Sequence, residues 1–350
     1  MKREFTNTVL ENGKKESNLT MMTENAEKAT PMLANIEGLT KWFPVKRNKI
    51  FGKRTVHAVN GVSFSILKGQ TIALVGESGS GKSTIARIIL GLMKPTSGTI
   101  KWRDRDIFEM RADEKRQFRC EVQMVFQDPS SSLNPRKTIK NILSAPLRKH
   151  RIIERKKLTH RVSELLSLVG IEPSYGLERY PHEFSGGQRQ RIAIARAIAL
   201  EPTLIVADEP VSSLDVSIQG QIINLLKGLQ QEIGVNYFFI THDLALTRSI
   251  AQRVLVLYLG EIVEDGSIER IFQNPLHPYT KALMASTPVP NPRRSRKRRK
   301  VALRGEIPSP IDPPTGCFFH PRCAEAINEC REVKPRLQLI DDRLVACHLK

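Results

Sequence analysis

The stretch GESGSGKS, residues 76–83, matches the phosphate-binding pattern G-x-x-x-x-G-K-[ST] at every fixed position. A β-branched apolar run precedes it at residues 70–75, and an apolar run of helical character follows at residues 84–90. This order predicts a strand, a loop and a helix, which is the setting that the pattern requires. We therefore expect an α/β fold built around this loop.

The residue types in the loop suit a bound polyphosphate. Gly76, Gly79 and Gly81 can adopt backbone angles closed to other residues, so that successive N–H groups face phosphate oxygens. The helix N-terminus behind the loop favours the same anion. Lys82 would reach the β- and γ-phosphates, and the Ser83 hydroxyl would hold Mg²⁺. A glycine-rich turn without a ligand is the alternative, which the Lys82-Ser83 pair disfavours.

Composition and charge narrow the class of protein. The 350 residues carry a net charge of +19, which suits a nucleotide, nucleic acid or anionic lipid as partner. Residues 293–304 are strongly basic and contain no acid, a pattern typical of a solvated linker; contact with an acidic membrane surface or partner is the alternative. No apolar run approaches the roughly 18 residues needed to cross a bilayer, and the N-terminus does not resemble a signal peptide. We expect the chain to stay in the cytosol.

The rest of the chain alternates strand-like and helical patterns. Residues 1–33 are polar and aperiodic, which predicts a disordered tail. Apolar runs predict buried strands at residues 121–126, 203–207 and 236–240, and residues 138–200 are mostly helical in pattern. Such alternation indicates a parallel sheet covered on both faces.

Polar residues follow the predicted strands at Gln127, Asp208, Glu209 and His242. Because ligands bind at the carboxyl ends of parallel strands, one cleft could hold these residues together with Gly76. Asp208 has the context of the second Mg²⁺-binding element of phosphate-loop NTPases, and Glu209 could orient or deprotonate the attacking water. Gln127 could reach the metal or the water, and His242 the γ-phosphate. Taken singly, each also fits a surface acid or a structural side chain.

A second glycine turn stands at Ser185-Gly186-Gly187-Gln188, before a helical pattern. A Ser-Gly-Gly turn that opens a helix is another anion-binding end. Two such elements about a hundred residues apart suggest that two chains each lend one to a shared nucleotide.

The chain resembles an ABC-transporter ATPase over residues 34–350. The motifs that carry the resemblance, in the family's order and spacing, are GESGSGKS at 76–83, Gln127, FSGGQ at 184–188, LIVADE at 204–209, Ser213-Leu214-Asp215 and His242. The resemblance implies a P-loop NTPase with a RecA-like parallel sheet, an antiparallel β subdomain, an α-helical subdomain and a small Cys-rich C-terminal extension. It places the nucleotide-binding domain at residues 34–289 and a basic linker with the Cys-rich region at residues 290–350.

The same resemblance implies roles at an ATP and Mg²⁺ site. Glu209, His242 and Gln127 would be catalytic, and Mg²⁺ would be held by Ser83, Gln127 and Asp208. The residues that would contact ATP are Phe43, Gly76, Glu77, Ser78, Gly79, Ser80, Gly81, Lys82, Ser83, Thr84, Asp208, Ser185, Gly186, Gly187, Gln188 and Asp215. Phe43 occupies the adenine-stacking position, where many relatives have Tyr; an aromatic face suffices for stacking.

The long basic loop before Ala58-Val59 resembles that of the F subunit of oligopeptide and dipeptide importers, and further features are similar to the ATP-binding subunits of these importers in general. These features are KWFPVK at 41–46, VFQDPSSSLNPR at 125–136, NPLHPYT at 274–280 and GCFFHPRC at 316–323. The resemblance implies a second, non-identical ATPase subunit, two membrane permease subunits and an extracytoplasmic solute-binding protein as partners. It places the chain at the cytoplasmic face of the membrane.

Two other functions compete with peptide import. The same machine could carry nickel or another metal chelate, because cargo choice belongs to other subunits. A soluble ABC ATPase acting on nucleic acid would suit the net charge, but its DNA-repair relatives insert a long coiled coil between the Gln127 and Ser185 elements, and translation-type relatives carry two nucleotide-binding domains in one chain. We therefore expect no nucleic-acid partner.

Four cysteines cluster in the last part of the chain, at Cys317, Cys323, Cys330 and Cys347. In a cytosolic chain such clustering suggests metal rather than disulfides. The spacing matches no zinc-finger pattern, but four thiolates could hold a [4Fe-4S] cluster, as in some relatives with this tail. A cap packed without metal, or zinc bound with help from His320 or His348, are the alternatives.

Overall fold

The computed structural model of the protein describes residues 31–45, 54–286 and 305–350. Within those ranges the strands are β1 (Met32–Val45), β2 (Arg54–Leu67), β3 (Ile72–Val75), β4 (Ser97–Trp102), β5 (Arg105–Asp106), β6 (Val122–Val125), β7 (Leu204–Asp208), β8 (Asn236–Thr241), β9 (Arg253–Tyr258), β10 (Glu261–Ser267), β11 (Gln338–Ile340) and β12 (Arg343–Val345). The α-helices are α1 (Lys82–Ile89), α2 (Ala112–Glu121), α3 (Pro129–Ser132), α4 (Ile139–His150), α5 (Leu158–Leu168), α6 (Pro173–Gly176), α7 (Gly186–Ile198), α8 (Val216–Ile233), α9 (Leu244–Ile250), α10 (Ile268–Gln273), α11 (Pro278–Ser286) and α12 (Glu329–Glu332).

Some sequence-based predictions fall outside the described residues. The predicted disordered tail lies outside them except for residues 31–33, where β1 already begins at Met32. The basic run at residues 293–304 also lies outside them. Among the helices of the described ranges, none combines the length and apolar character needed to span a bilayer.

The larger sheet has the order β11-β12-β10-β9-β3-β8-β7-β6, and its strands from β9 to β6 are parallel. Every residue of β3 and of β8 is buried. A parallel strand covered on both faces needs apolar side chains at successive positions, which explains the continuous runs in the sequence. The predicted parallel sheet is present, and the ends of β3, β6, β7 and β8 lie at one edge.

A second sheet has the order β2-β1-β4-β5 and is antiparallel. Its buried side chains share one hydrophobic cluster with α1 and with one face of the parallel sheet. The rings of Phe64 and Phe238 stack across this contact with centroids 5.5 Å apart. The phosphate-loop helix α1 is thus held between the two sheets.

Residues 138–200 are largely helical, as their pattern predicts. Thr138 caps α4 by accepting a hydrogen bond from the Asn141 N–H at 3.4 Å. Apolar side chains of α4, α5 and α7, such as Leu143, Val162 and Ile194, are buried in one core. This helical region carries the Ser185 turn at the start of α7.

The C-terminal extension joins the larger sheet. Strand β12 pairs antiparallel with β10, and β11 pairs with β12. Arg343 of β12 lies 3.5 Å from the fully buried Glu264 of β10 and donates hydrogen bonds to the carbonyls of Arg270 and Asn274. The pairing was not predicted from the sequence, because three-residue strands show no readable alternation.

Candidate functional site

The loop at residues 76–83 connects β3 to α1, and its glycines are required by the backbone. Gly79 and Gly81 have φ angles of +78° and +106°, in the left-handed region. A Cβ on Gly81 would lie 2.2 Å from the Ala58 carbonyl oxygen, and one on Gly76 would lie 2.2 Å from the Leu257 carbonyl oxygen. The sequence places glycine where no larger residue fits.

Lys82 lies inside the loop that it serves. Its Nζ donates hydrogen bonds of 2.8 Å to the carbonyl oxygens of Gly76 and of Glu77. Burial lowers the pKa of Lys82, while the carboxylates of Glu209, Asp208 and Glu77 act in the opposite direction. A buried ammonium group needs hydrogen-bond acceptors, and charged phosphate oxygens would be stronger acceptors for Lys82 than these two carbonyl oxygens.

The loop also offers an unpaired polar group to a ligand. The Ser80 side chain is 4 % exposed, and its Oγ has no hydrogen-bond partner among the described residues. Ser78 is exposed beside it, and Thr84 is half-buried in the first turn of α1. Buried hydroxyls are normally paired, so the loop fits a polar ligand such as a polyphosphate.

Ser83 and Asp208 meet as the predicted metal site requires. The Ser83 Oγ donates to Asp208 Oδ1 at 3.3 Å. Burial raises the pKa of Asp208, while the hydrogen bond from Ser83 lowers it. A hydroxyl and a carboxylate are the oxygen ligands that Mg²⁺ takes in nucleotide sites, so this pair fits the metal.

Glu209 has contacts with both other predicted catalytic residues. Its Oε2 accepts a hydrogen bond from Gln127 Nε2 at 3.3 Å and lies 3.3 Å from His242 Nδ1. Gln127 therefore contacts the candidate base rather than the Ser83-Asp208 pair. Glu209 has a φ of +47°, a strained left-handed backbone that is held by a 2.9 Å hydrogen bond from its N–H to the Ile240 carbonyl.

Ser185 begins α7 as an N-cap. The Gln188 N–H donates to Ser185 Oγ at 3.3 Å, and the Ser185 N–H donates to Gln188 Oε1 at 3.0 Å. A Cβ on Gly187 would lie 2.7 Å from Ile218 Cγ2, whereas one on Gly186 would meet Leu214 at 3.5 Å. The turn is therefore packed against α8, whose N-cap Asp215 makes no side-chain capping bond. No hydrogen bond found within the described ranges joins this turn to residues 76–83.

Phe43 lies on β1 opposite Val56 of β2. Its ring is half-buried, and the Lys41 ammonium is 5.2 Å from the ring centroid. The adjacent Trp42 is 42 % exposed and donates its Nε1–H to Asn60 at 2.9 Å. The geometry gives Phe43 no specific tie to the loop, so its stacking role stays a prediction.

The four C-terminal cysteines are near one another but do not form a ligand set. Burial raises the pKa of the Cys317 thiol to about 11, and Cys330, Cys347 and Cys323 raise it further. Yet nowhere in residues 31–45, 54–286 and 305–350 do three or more His, Cys, Asp or Glu side chains form a group that could hold a metal ion. The predicted [4Fe-4S] site is therefore not formed by these side chains as placed.

The imidazoles of the zinc alternative have other contacts. His320 Nδ1 lies 3.0 Å from the Cys317 carbonyl oxygen, and His348 Nδ1 lies 3.3 Å from Glu329 Oε1.

Sequence reasoning missed two residues that touch the loop. The Glu77 N–H donates to the Tyr279 hydroxyl at 2.9 Å, and the Arg322 guanidinium forms two hydrogen bonds with the Glu77 carboxylate. Both residues lie in stretches that the sequence marks as family features, but nothing in their spacing indicates a partner some two hundred residues away. An arginine inside an apolar, cysteine-rich stretch was the available signal, because buried guanidinium groups are almost always paired.

Known proteins match the chain along most of its length. The family described as ABC transporter matches residues 59–212, and the oligopeptide/dipeptide transporter C-terminal region matches residues 263–330. The oligopeptide transport ATP-binding protein OppF of Salmonella typhimurium is 49 % identical over 90 % of this chain and 96 % of its own length. The dipeptide transport ATP-binding protein DppF of Haemophilus influenzae is 47 % identical over 93 % of this chain and 99 % of its own length.

Solved structures agree with the fold. A dimeric ATP-binding cassette in a post-hydrolysis state, bound to ADP and Pi, is 30 % identical and aligns with a TM-score of 0.59, covering 67 % of this chain and 99 % of that one. The cassette cbiO1 from Clostridium perfringens is 25 % identical, with a TM-score of 0.61 over 77 % of this chain and 99 % of that one. The expected P-loop NTPase fold is confirmed. The chain is an ATPase that belongs to the oligopeptide and dipeptide transport ATP-binding proteins of the ABC transporter family.

Proposed function

We propose that the chain powers the import of oligopeptides or dipeptides through separate membrane permease subunits. An extracytoplasmic solute-binding protein would deliver the peptide to these subunits. The names of the relatives, which are peptide transport ATP-binding proteins, support this cargo. They favour it over a metal chelate and over a role on nucleic acid. The subunit would lie at the cytoplasmic face of the membrane, bound to the permease subunits.

We propose the following roles at the site, which its contacts support. When bound, Mg²⁺-ATP supplies the phosphoanhydride bond that is cleaved. Lys82 and the loop N–H groups would bind phosphate oxygens, and Ser83 and Asp208 would hold Mg²⁺. Glu209 would accept the proton of the attacking water. Its two partners, Gln127 and His242, would keep the carboxylate in place.

One observation carries this assignment, namely that Glu209 Oε2 is within 3.3 Å of both Gln127 and His242. We expect Glu209→Gln to retain ATP binding and to lower the hydrolysis rate by about 10²- to 10⁴-fold, because it removes the base and leaves the phosphate loop intact. Steady-state phosphate release and the affinity for a fluorescent ATP analogue measure the two effects.

Two variants serve as controls for Glu209→Gln. Glu201→Gln removes another glutamate with a left-handed backbone, φ +53°, that pairs with Arg161 instead, and should hydrolyse ATP normally. Lys82→Ala should lose nucleotide binding. A Glu209→Gln protein that hydrolyses ATP at the wild-type rate would remove Glu209 from its role.

We also propose that the nucleotide is shared between two subunits, one giving the loop at residues 76–83 and the other its Ser185–Gln188 turn. Within this chain the turn makes no hydrogen bond with the loop in the described ranges, and the structural relative bound to ADP and Pi is a dimer. Because import systems of this type usually pair two different ATPases, we propose a non-identical partner. Phe43, Asp215 and Thr84 complete the proposed nucleotide contacts.

We further propose an iron–sulfur cluster at the four cysteines of the extension. Its support is the mutual closeness of the thiols of Cys317, Cys323, Cys330 and Cys347; a cluster would need them to converge and to lose their protons. Protein purified without oxygen should then contain iron and acid-labile sulfide, both lost in Cys317→Ser. Zinc alone, or no metal, would reject the cluster, and Cys120→Ser is the matched control outside the extension.

A further inference from the structure

The phosphate loop is tied to the C-terminal extension by an ion pair. Arg322 Nη1 donates to Glu77 Oε2 at 2.6 Å, and Nη2 donates to Glu77 Oε1 at 3.1 Å. The Arg322 side chain is 5 % exposed and that of Glu77 is 22 % exposed. A two-bond pair between a guanidinium and a carboxylate is short, directional and, when largely buried, hard to replace.

An aromatic cluster fixes the arginine. The Tyr258 ring lies 4.7 Å from Tyr279 and 5.2 Å from Phe319, and the Tyr279 and Phe319 centroids are 5.4 Å apart. The Tyr258 hydroxyl accepts a further hydrogen bond from Arg322 at 3.5 Å. Arg322 contacts Tyr258, and its neighbour in the extension, Phe319, packs on the same ring. A movement of the guanidinium away from Glu77 would therefore disturb this packing.

Glu77 is held at each of its polar groups. Its N–H donates to the Tyr279 hydroxyl at 2.9 Å, its carbonyl accepts from Lys82 at 2.8 Å, and its carboxylate binds Arg322. The position of the loop backbone therefore depends on groups from outside the loop. Of these outside groups, the charged one is the Arg322 guanidinium, which belongs to the C-terminal extension.

The charge of Glu77 also opposes the ligand of its own loop. A carboxylate beside bound phosphates repels them, and the repulsion grows where solvent is scarce. The Arg322 guanidinium is hydrogen-bonded to the Glu77 carboxylate, so its positive charge neutralises the carboxylate's negative charge. Removing the arginine alone would leave a partly buried, unpaired carboxylate in the anion site, whereas removing both groups would not.

We propose that Arg322 is a positioning residue for ATP binding, because it holds Glu77 in place and neutralises it so that the loop accepts the nucleotide phosphates. The proposal rests on the assignment of residues 76–83 as the nucleotide site. It gives the C-terminal extension a part in nucleotide binding, which Arg322 exerts through Glu77.

The test substitutes Arg322 and Glu77, singly and together, and measures the affinity for an ATP analogue and the KM for ATP. We expect Arg322→Gln to raise the Kd for a fluorescent ATP analogue and the KM for ATP by about tenfold, with kcat changed less. Glu77→Gln should raise the Kd less than Arg322→Gln does, since it removes the carboxylate charge and leaves the positive charge of Arg322. The double variant should recover to within about threefold of the wild type.

Further variants separate positioning from stability. Arg322→Lys keeps the charge but loses the two-bond geometry and should lie between the wild type and Arg322→Gln. Glu325→Gln lies on the same extension as Arg322, breaks a 3.6 Å ion pair with Lys281 of α11 and should leave KM unchanged. If Arg322→Gln fails to fold, Arg322→Lys and the double variant still give the comparison.

The outcomes that overturn the proposal differ from those that overturn the site. An unchanged KM in Arg322→Gln with a lowered melting temperature would make Arg322 merely structural. A double variant as impaired as Arg322→Gln would show that the Glu77 charge does not matter. Lys82→Ala that still binds ATP would instead reject the nucleotide site itself, whatever Arg322 does.

Discussion

His277 shows how a single buried side chain holds the turn that leads to Tyr279. The imidazole is 1 % exposed, and its Nδ1 accepts a 3.0 Å hydrogen bond from the Tyr279 N–H, which requires the neutral ring. Burial, with a smaller effect from Lys281, lowers the pKa of His277 to about 3. Because the ring titrates near 6.5 in the unfolded chain, the unfolded state gains protons first as the pH falls.

We therefore expect His277 to make the fold sensitive to acid. Its contribution to the free energy of unfolding is complete above about pH 6.5 and is lost as the pH falls towards 3, with about 2 kcal/mol lost between pH 7 and pH 5. Urea unfolding at both pH values measures the loss. In His277→Asn, which keeps an acceptor but cannot titrate, the loss should be smaller by about that amount; an equal loss in both proteins would contradict the prediction.

Individual elements differ in how far the sequence predicted them. Strands β3, β7 and β8 are buried on both faces, so their continuous apolar runs were readable in the sequence. The strands β11 and β12 were missed, because three residues carry no period and their place is set by pairing with β10. Local pattern predicts an element, but not a contact made across the sheet.

The same distinction applies to the candidate site: residues that follow strands were predictable, and the contact between distant parts of the chain was not. Loop, metal and catalytic residues follow strands, so the rule for parallel sheets predicts from sequence that Gly76, Gln127, Asp208, Glu209 and His242 share one edge. The Arg322–Glu77 pair spans 245 positions of the chain and depends on the fold of the whole extension. No spacing rule could have found it.

At the scale of the whole molecule, the proposal that a second subunit adds its Ser185 turn to the nucleotide site can be tested directly. We expect Glu209→Gln, mixed with the proposed non-identical ATPase subunit carrying the matching substitution, to double its mass in light scattering with Mg²⁺-ATP and to dissociate with ADP. ATP stabilises the closed pair because it binds the closed pair more tightly than it binds the separate subunits, and the Glu209→Gln variant would leave the ATP unhydrolysed.

Two controls give this result its meaning. Lys82→Ala introduced into the same Glu209→Gln chain should weaken the pair, because one of the two nucleotides loses its loop. The Glu209→Gln chain alone should pair less tightly than the mixture, since its loop would meet a turn selected for another partner. Equal pairing alone and in the mixture would reject the non-identical partner but keep the shared nucleotide. A mass that ATP does not change in either sample would reject sharing, and the loop would then have to act without a turn from outside.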